Sequence, residues 1–251
     1  MNEKKESNDS ESIRLQLAIA RAGVASRRHA EEMIRDGLVR VNGKIITEMG
    51  TRVNPSTDKI EVEGRALPAA PRRHWTVMLN KPVGVLSSME DPFGGRTVAD
   101  LVRGQVSERV VPVGRLDKDS EGLLLMSNDG DLVLKLTHPR YEHEKTYVVD
   151  AAGRWSEDKL RLLRSRVKMP DGYEIRPVPV KVLETRPDNT ARLEFRLHEG
   201  RKRQIRYMCS AAHLVVLRLK RVAVGSRPLD PKLAPGAWRD RTKEELDGLV
   251  R

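Results

Sequence analysis

Cysteine is almost absent from the 251-residue chain: Cys209 is the only one. One thiol cannot close an intramolecular disulfide, and it cannot build a thiolate metal site. The expectation is a protein of a reducing, cytoplasmic compartment in which Cys209 serves as a small buried apolar residue. Long apolar runs are also missing. No stretch approaches the roughly 20 apolar residues that a membrane span requires. Residues 1–11 are polar and slightly acidic, without the basic and apolar regions of a secretion signal, and are expected to form a disordered tail. No fixed-period repeat and no low-complexity tract interrupts the chain. No His/Cys/Asp cluster with metal-ligand spacing occurs either, so metal chemistry is not expected.

What is present is positive charge and a sufficient core. Hydrophobic residues make up 38% of the chain, enough for a folded interior. Lysine and arginine number 47 against 36 acidic residues, a formal charge of +11. Such a balance favours a polyanion, because each Lys or Arg contact to a phosphate releases condensed counterions. A solvated basic surface is the plainer alternative.

The N-terminal part reads as a small unit. Ser12 is a candidate cap for a helix over about 13–22, ended by Gly23. Ser26 is a candidate cap for a second helix running to Gly37, with Arg27, Arg28 and Arg35 on its surface. Asn42-Gly43 between apolar runs predicts a hairpin, since both central residues of a type I′ turn need positive φ. Arg40 and Lys44 flank that turn. A further short strand is expected over 58–63. Residues 12–66 are thus one candidate domain. The proline-containing stretch 67–74 is a linker, and 75–251 is a second domain.

In the second part short Val/Leu/Ile runs predict strands at 75–79, 83–88, 110–116, 122–127, 145–150, 175–184, 190–198 and 214–224. Helices are expected near 97–102, 130–136, 156–165, 202–212 and 242–249. Strands outnumber helices and alternate with them irregularly. The prediction is an α+β fold with a mixed, largely antiparallel sheet flanked by helices.

Three segments could carry chemistry. In Gly114-Arg115-Leu116-Asp117-Lys118-Asp119-Ser120 a charged loop separates two apolar runs. Rigid strands would fix Asp117 while the loop admits substrate, and Arg115 could keep the carboxylate ionised. Spacing alone favours instead a turn in which Asp117, Asp119 and Asn128 only cap backbone groups, since such turns are common. In Lys145-Thr146-Tyr147, Tyr147 could stack on a base or simply fill the core. From Arg201 to Arg221 there are seven Lys or Arg and no acid. A helix beginning after Gly200 would put Lys202 and Arg206 on one phosphate-binding face.

Taken together, these segments resemble a family. Gly114-Arg115-Leu116-Asp117 with Ser120-Glu121-Gly122-Leu123-Leu124-Leu125 and Asn128-Asp129-Gly130 is similar to the catalytic segment of the RsuA family of ribosomal RNA pseudouridine synthases. The likeness continues upstream in Leu79-Asn80-Lys81-Pro82-Val83-Gly84. Downstream it runs through Lys145-Thr146-Tyr147, Glu199-Gly200-Arg201 with Gln204-Ile205-Arg206, Leu219-Lys220-Arg221 and Pro235-Gly236-Ala237-Trp238. Residues 12–66, through Ala20-Arg21-Ala22-Gly23-Val24-Ala25-Ser26-Arg27-Arg28 and Val39-Arg40-Val41-Asn42-Gly43-Lys44, resemble the alpha-L RNA-binding domain. Ser120 stands where the family often has Thr, and Tyr207 where a second Arg is frequent.

The resemblance implies isomerisation of uridine to pseudouridine in ribosomal RNA, expected to be the large-subunit 23S rRNA. It implies Asp117 as nucleophile, Tyr147 stacked on the uracil, and Arg201 paired with Asp117 in a dry pocket. Arg115, Lys81, Lys202, Arg203, Gln204 and Arg206 are implied RNA-contact or supporting residues. Arg27, Arg28, Arg35, Arg40 and Lys44 would grip the phosphate backbone. The reaction needs no group donor and no oxidant, so no cofactor and no metal are expected. The protein is expected to work as a monomer in the cytoplasm with ribosomal RNA as its partner. The alternative is an RNA-binding or ribosome-assembly factor without catalysis.

Overall fold

The computed structural model describes residues 12–69, 74–106, 109–241 and 245. The expected tail and most of the expected C-terminal helix lie outside these residues. The chain divides into two compact units, residues 1–74 and 75–251. Among the described residues no helix is long and apolar enough to cross a membrane.

In the first unit, β1 (Ile13–Arg14) leads into α1 (Leu15–Arg21) and α2 (Arg27–Arg35). The first helix starts later than its sequence suggests. Ile13 and Arg14 pair with Val53 and Arg52 of β4 (Arg52–Val53), and that pairing holds them extended. Ser12 therefore caps nothing; its hydroxyl accepts from Arg52 Nε at 3.2 Å. Ser26 does cap α2, accepting from the His29 amide at 3.1 Å. β2 (Val39–Val41) and β3 (Lys44–Ile45) form the hairpin around Asn42-Gly43, both at positive φ. The sheet order is β3-β2-β5-β6, with β5 (Ile60–Val62) and β6 (Arg65–Ala66). Leu15, Ile19, Ala30, Ile34, Val39 and Val62 form the core of this unit. At about 25 cal/mol per Å² of buried apolar surface, such a core of small residues gives a 55-residue module only modest stability.

The second unit is built on a nine-stranded sheet. Its main path is β13-β14-β10-β15-β9-β7-β17. The strands are β7 (Thr76–Lys81), β8 (Val111–Val113), β9 (Glu121–Ser127), β10 (Lys145–Ala152), β13 (Val180–Thr185), β14 (Thr190–Leu197), β15 (Val215–Val224), β16 (Arg227–Pro228) and β17 (Trp238–Asp240). A small hairpin of β11 (Val167–Lys168) and β12 (Glu174–Ile175) stands apart. The helices are α3 (Val98–Val102), α4 (Gly130–Thr137), α5 (Glu157–Leu163) and α6 (Gln204–Ala211). All pairings are antiparallel except β15 with β9. The sheet is thus mixed and largely antiparallel, as its sequence predicts.

Strand composition follows burial. β9 reads Glu-Gly-Leu-Leu-Leu-Met-Ser, with every residue buried. Leu124 and Met126 face one core with Val77 and Leu79, while Leu123 and Leu125 face the other with Met78, Leu132 and Leu136. A strand covered on both faces needs apolar residues at successive positions. β14 reads Thr-Ala-Arg-Leu-Glu-Phe-Arg-Leu and alternates, with Ala191, Leu193, Phe195 and Leu197 inward. One face of that half of the sheet is open to solvent.

Two expected strands are altered. The run 83–88 supplies only one bridge, Leu86 to Thr97, since Pro82 and the positive φ of Gly84 divert the chain. The run 175–184 is split into β12 and β13, because Pro177 and Pro179 cannot donate to a ladder.

Candidate active site

The loop between β8 and β9 carries Asp117. Both β8 and β15 use the same edge of β9. β8 pairs with Leu125, Met126 and Ser127, and β15 pairs with Glu121 and Gly122. The loop 114–120 enters β9 at the point where β15 joins in parallel. Gly122 makes that junction possible: a Cβ there would lie 2.3 Å from the Arg221 carbonyl oxygen. Arg221 is buried and donates Nε to the Leu123 carbonyl at 2.7 Å.

The loop backbone is tied down from β7 and the segment after it. Lys81 is fully buried, and its ammonium donates to the carbonyls of Ser120, Pro82 and Asp117 at 2.7, 3.0 and 3.2 Å. Burial lowers its pKa to about 8, against the opposing pull of Asp119, Asp117 and Glu121. The Ser87 hydroxyl donates to the Leu116 carbonyl and accepts from the Leu116 amide, at 2.8 and 3.0 Å. The Gly84 amide donates to the Lys118 carbonyl at 2.7 Å. Lys81 is therefore a brace beneath the loop, and its buried ammonium is not available to RNA.

The Asp117 backbone is held, yet its half-buried carboxylate makes no hydrogen bond or ion pair among the described residues. Neighbouring acids and amides in the segment are used structurally. The Asp129 carboxylate accepts from the Asp131 and Leu132 amides and caps α4. The Asn128 side chain accepts from the Trp75 amide at 2.7 Å. Asp119 accepts from Arg206 Nη2 at 3.0 Å and from Arg203 Nη1 at 3.2 Å. The capping role that spacing alone favours thus belongs to Asp129 and Asn128, not to Asp117.

Tyr147 lies on β10, buried, opposite Phe195 on one side and Arg221 on the other. It belongs to the same core cluster as Leu116, Val85, Ile205 and Met208. That cluster contains Leu116, the residue before Asp117, so the tyrosine lies on the face of the sheet from which the loop emerges.

The basic segment before α6 differs from expectation. The helix starts at Gln204, with Arg203 at a left-handed φ of 58° as its N-cap residue. Lys202 is in the preceding turn and exposed, so it does not share a helix face with Arg206. The expected Arg201–Asp117 pair is absent. Arg201 Nη1 donates to Asp171 at 3.2 Å, and its guanidinium stacks over the Tyr173 ring at 3.3 Å from the centroid. The reason is the β11–β12 hairpin, which brings Asp171 and Tyr173 to the Glu199–Gln204 turn. There Tyr173 donates to Glu199, and Glu199 accepts from Gln204 Nε2 at 3.0 Å. Gln204 is buried in this network, a placement that suits the supporting role expected for it.

Arg206 and Arg203 are the guanidiniums of this segment that reach the Asp117 loop, and Arg206 is the less exposed of the two. Arg206 donates to both the Asp119 carbonyl and its carboxylate. The Arg206 Nε and the Ser120 hydroxyl are buried without a hydrogen-bond partner among the described residues. Unsatisfied buried donors are rare in folded proteins. Arg115 is exposed on the loop. Cys209 is buried in α6, and burial pushes its thiol up to about 12, which leaves it inert.

In the first unit Arg27, Arg28, Arg35, Arg40 and Lys44 are all exposed. Arg27 and Arg28 occupy the first turn of α2, where no acid balances the positive end of the helix dipole. Two cations at that end oppose stability and suit an anion.

The chain is similar to known proteins along most of its length. The RNA pseudouridylate synthase family model matches residues 75–211, and the S4 domain model matches residues 13–59. The ribosomal large subunit pseudouridine synthase B of Bacillus subtilis (strain 168) is 42% identical over 83% of this chain and 84% of its own length. An uncharacterized RNA pseudouridine synthase of Aquifex aeolicus (strain VF5) is 38% identical over 95% of this chain and 94% of its own length. A crystal structure of a pseudouridylate synthase aligns with a TM-score of 0.68 at 28% identity, covering 95% of this chain and all of that one.

Proposed function

The chain belongs to the RNA pseudouridylate synthase family and carries an S4 domain, and on that premise we propose that Asp117 is the nucleophile that isomerises one uridine of large-subunit ribosomal RNA. The reaction class follows from the family: the bond from ribose C1′ to uracil N1 breaks, and a bond from C1′ to C5 forms. The C5 proton leaves and N1 gains one, so atoms and charge balance without a donor or an oxidant.

The observation that carries the assignment is the free carboxylate on a braced loop. Lys81, Ser87 and Gly84 fix the Asp117 backbone, and nothing among the described residues occupies its side chain. A nucleophile fixed in advance loses little freedom when substrate arrives. Tyr147 supplies an aromatic face for the uracil and a phenol for the C5 proton. Arg206, not Arg201, supplies positive charge beside the loop. The target base must leave its stack, at a cost of a few kcal/mol, before these groups reach it.

The large subunit is favoured by the likeness to the Bacillus subtilis protein. We assign residues 12–66 to phosphate-backbone binding, 67–74 to a linker and 75–251 to catalysis, in a cytoplasmic monomer that works without a cofactor. A purely RNA-binding role would account for the first unit but would leave the Asp117 carboxylate without use. Asp117→Asn separates the two. RNA affinity is expected within twofold of wild type, while pseudouridine formation in a tritium-release assay is abolished. Wild-type turnover by this variant would overturn the assignment.

A further inference from the structure

The chain contains two phenylalanines. Phe195 is fully buried in β14, whereas Phe93 is 94% exposed, more than any other large hydrophobic residue described. A single exposed apolar side chain needs no explanation by itself. The way Phe93 is held does. It lies at the tip of the loop between β7 and α3, and that loop is closed at its stem. Leu86 donates its amide to the Arg96 carbonyl at 2.9 Å, and Val98 donates to the Leu86 carbonyl at 2.9 Å. Asp91 organises the tip from within. Its carboxylate accepts from the Gly95 amide at 2.8 Å and the Phe93 amide at 3.3 Å, and its carbonyl accepts from Gly94 at 3.0 Å. A Cβ at Gly95 would lie 2.4 Å from the Asp91 carboxylate, which would have to shift to admit one. The aromatic ring takes no part in the loop's own packing. The loop is built to present it.

The stem of this loop is bonded to the loop that carries Asp117. Ser87, next to Leu86, bridges both backbone groups of Leu116, and Gly84 bonds Lys118. Phe93 is six steps along the chain from Ser87, so its Cα lies within about 22 Å of the Ser87 Cα even at full chain extension. That is within the footprint of a structured RNA held at the site. Arg96 at the stem and Arg115 beside Leu116 are both exposed, and they suit phosphates on either side. The Asp91 carboxylate is turned back onto amides of its own loop and does not confront them.

We propose that Phe93 is a stacking platform for an unpaired nucleobase of the RNA substrate that flanks the reacting uridine, and so contributes to the choice of site. The proposal rests on the reading of the 114–120 loop as the catalytic one. Single-stranded bases stack on any aromatic face, and one such stack is worth a factor of about 5 to 160 in binding. Phe93 is fully solvated in the free protein, so its replacement costs no packing, and variants should melt as wild type does.

The test uses the full chain and an unmodified transcript of large-subunit ribosomal RNA. Phe93→Ala should raise KM for pseudouridine formation about tenfold with kcat at saturation unchanged. Phe93→Tyr should stay within twofold of wild type, and Phe93→Leu should behave as the alanine variant does. The same series is measured for RNA affinity in the Asp117→Asn background, where no turnover is needed. If wild type forms no pseudouridine, the catalytic reading fails, and the affinity series still decides the role of Phe93. Alanine or leucine variants within twofold of wild type on naked RNA would overturn the proposal. So would a loss seen only on assembled ribosomal particles, which would make Phe93 a contact for protein.

Discussion

Two lysines, the buried Lys81 and the half-buried Lys145, differ in what surrounds them. Lys81 has three carbonyl partners and three nearby acids. Lys145, at the start of β10, donates to the His143 carbonyl at 2.8 Å and has Arg221 as its charged neighbour. Burial and that guanidinium lower the Lys145 pKa to about 8 from an ordinary value of 10.5. Between those two values the unfolded chain holds more protons at this position than the folded one. Stability contributed by Lys145 therefore rises with pH from about 8 to 10.5 and is flat below. The prediction is that Lys145→Met removes part of the rise in urea midpoint between pH 8 and pH 10 that wild type shows. An identical pH dependence in the two proteins would exclude it. Replacement of Lys81 has a different consequence, because it leaves three carbonyls unanswered beneath the Asp117 loop. Lys81→Met is expected to lower kcat by at least tenfold while RNA affinity stays within twofold, as the loss of an interaction that positions the proposed nucleophile requires.

At the level of elements, the junction of β9 with β15 is intolerant of added volume. Gly122→Ala places a Cβ against the Arg221 backbone at a φ of 104°, and should cost about 3 kcal/mol or more in urea unfolding. Gly84→Ala provides the comparison: it has the same positive φ but open space, and should cost about 1 to 2 kcal/mol. Ser26→Ala should remove about 1 kcal/mol through the lost cap of α2. Elements such as these were legible where one local rule decides the outcome. The unbroken apolar run Leu123–Met126 announces a strand covered on both faces, and the alternation of Thr190–Leu197 announces one covered on a single face. The Asn42-Gly43 turn and the Ser26 cap are equally local. The position of Arg201 was not legible, because its partners Asp171 and Tyr173 lie about 30 residues upstream on a hairpin whose docking no spacing reveals. Likewise, Arg206 could be read as basic, but not as the residue that meets Asp119, which is 87 residues away in sequence. Ser12 failed as a cap for the same reason: pairing with β4 across the unit outweighs a local preference.

For the whole molecule, a formal charge of +11 predicts RNA binding that weakens steeply with salt. Replacing Arg27, Arg28 and Arg40 together by Ala should reduce the slope of log affinity against log salt by about 2, as three lost phosphate contacts require for single-stranded RNA. An unchanged slope would remove these residues from the interface. The chain length also bears on when catalysis becomes possible. Asp117 lies in the first half of the sequence, yet the edge that β9 offers beside its loop is completed only by Glu121 and Gly122 pairing with Lys220 and Arg221. That contact spans about a hundred residues, and such distant pairings form late and slowly. A nascent chain that has exposed Asp117 therefore still lacks the strand that pairs beside its loop. A polypeptide cut short before β15 would keep the brace that Lys81, Ser87 and Gly84 give the loop but would leave the start of β9 open on its other edge.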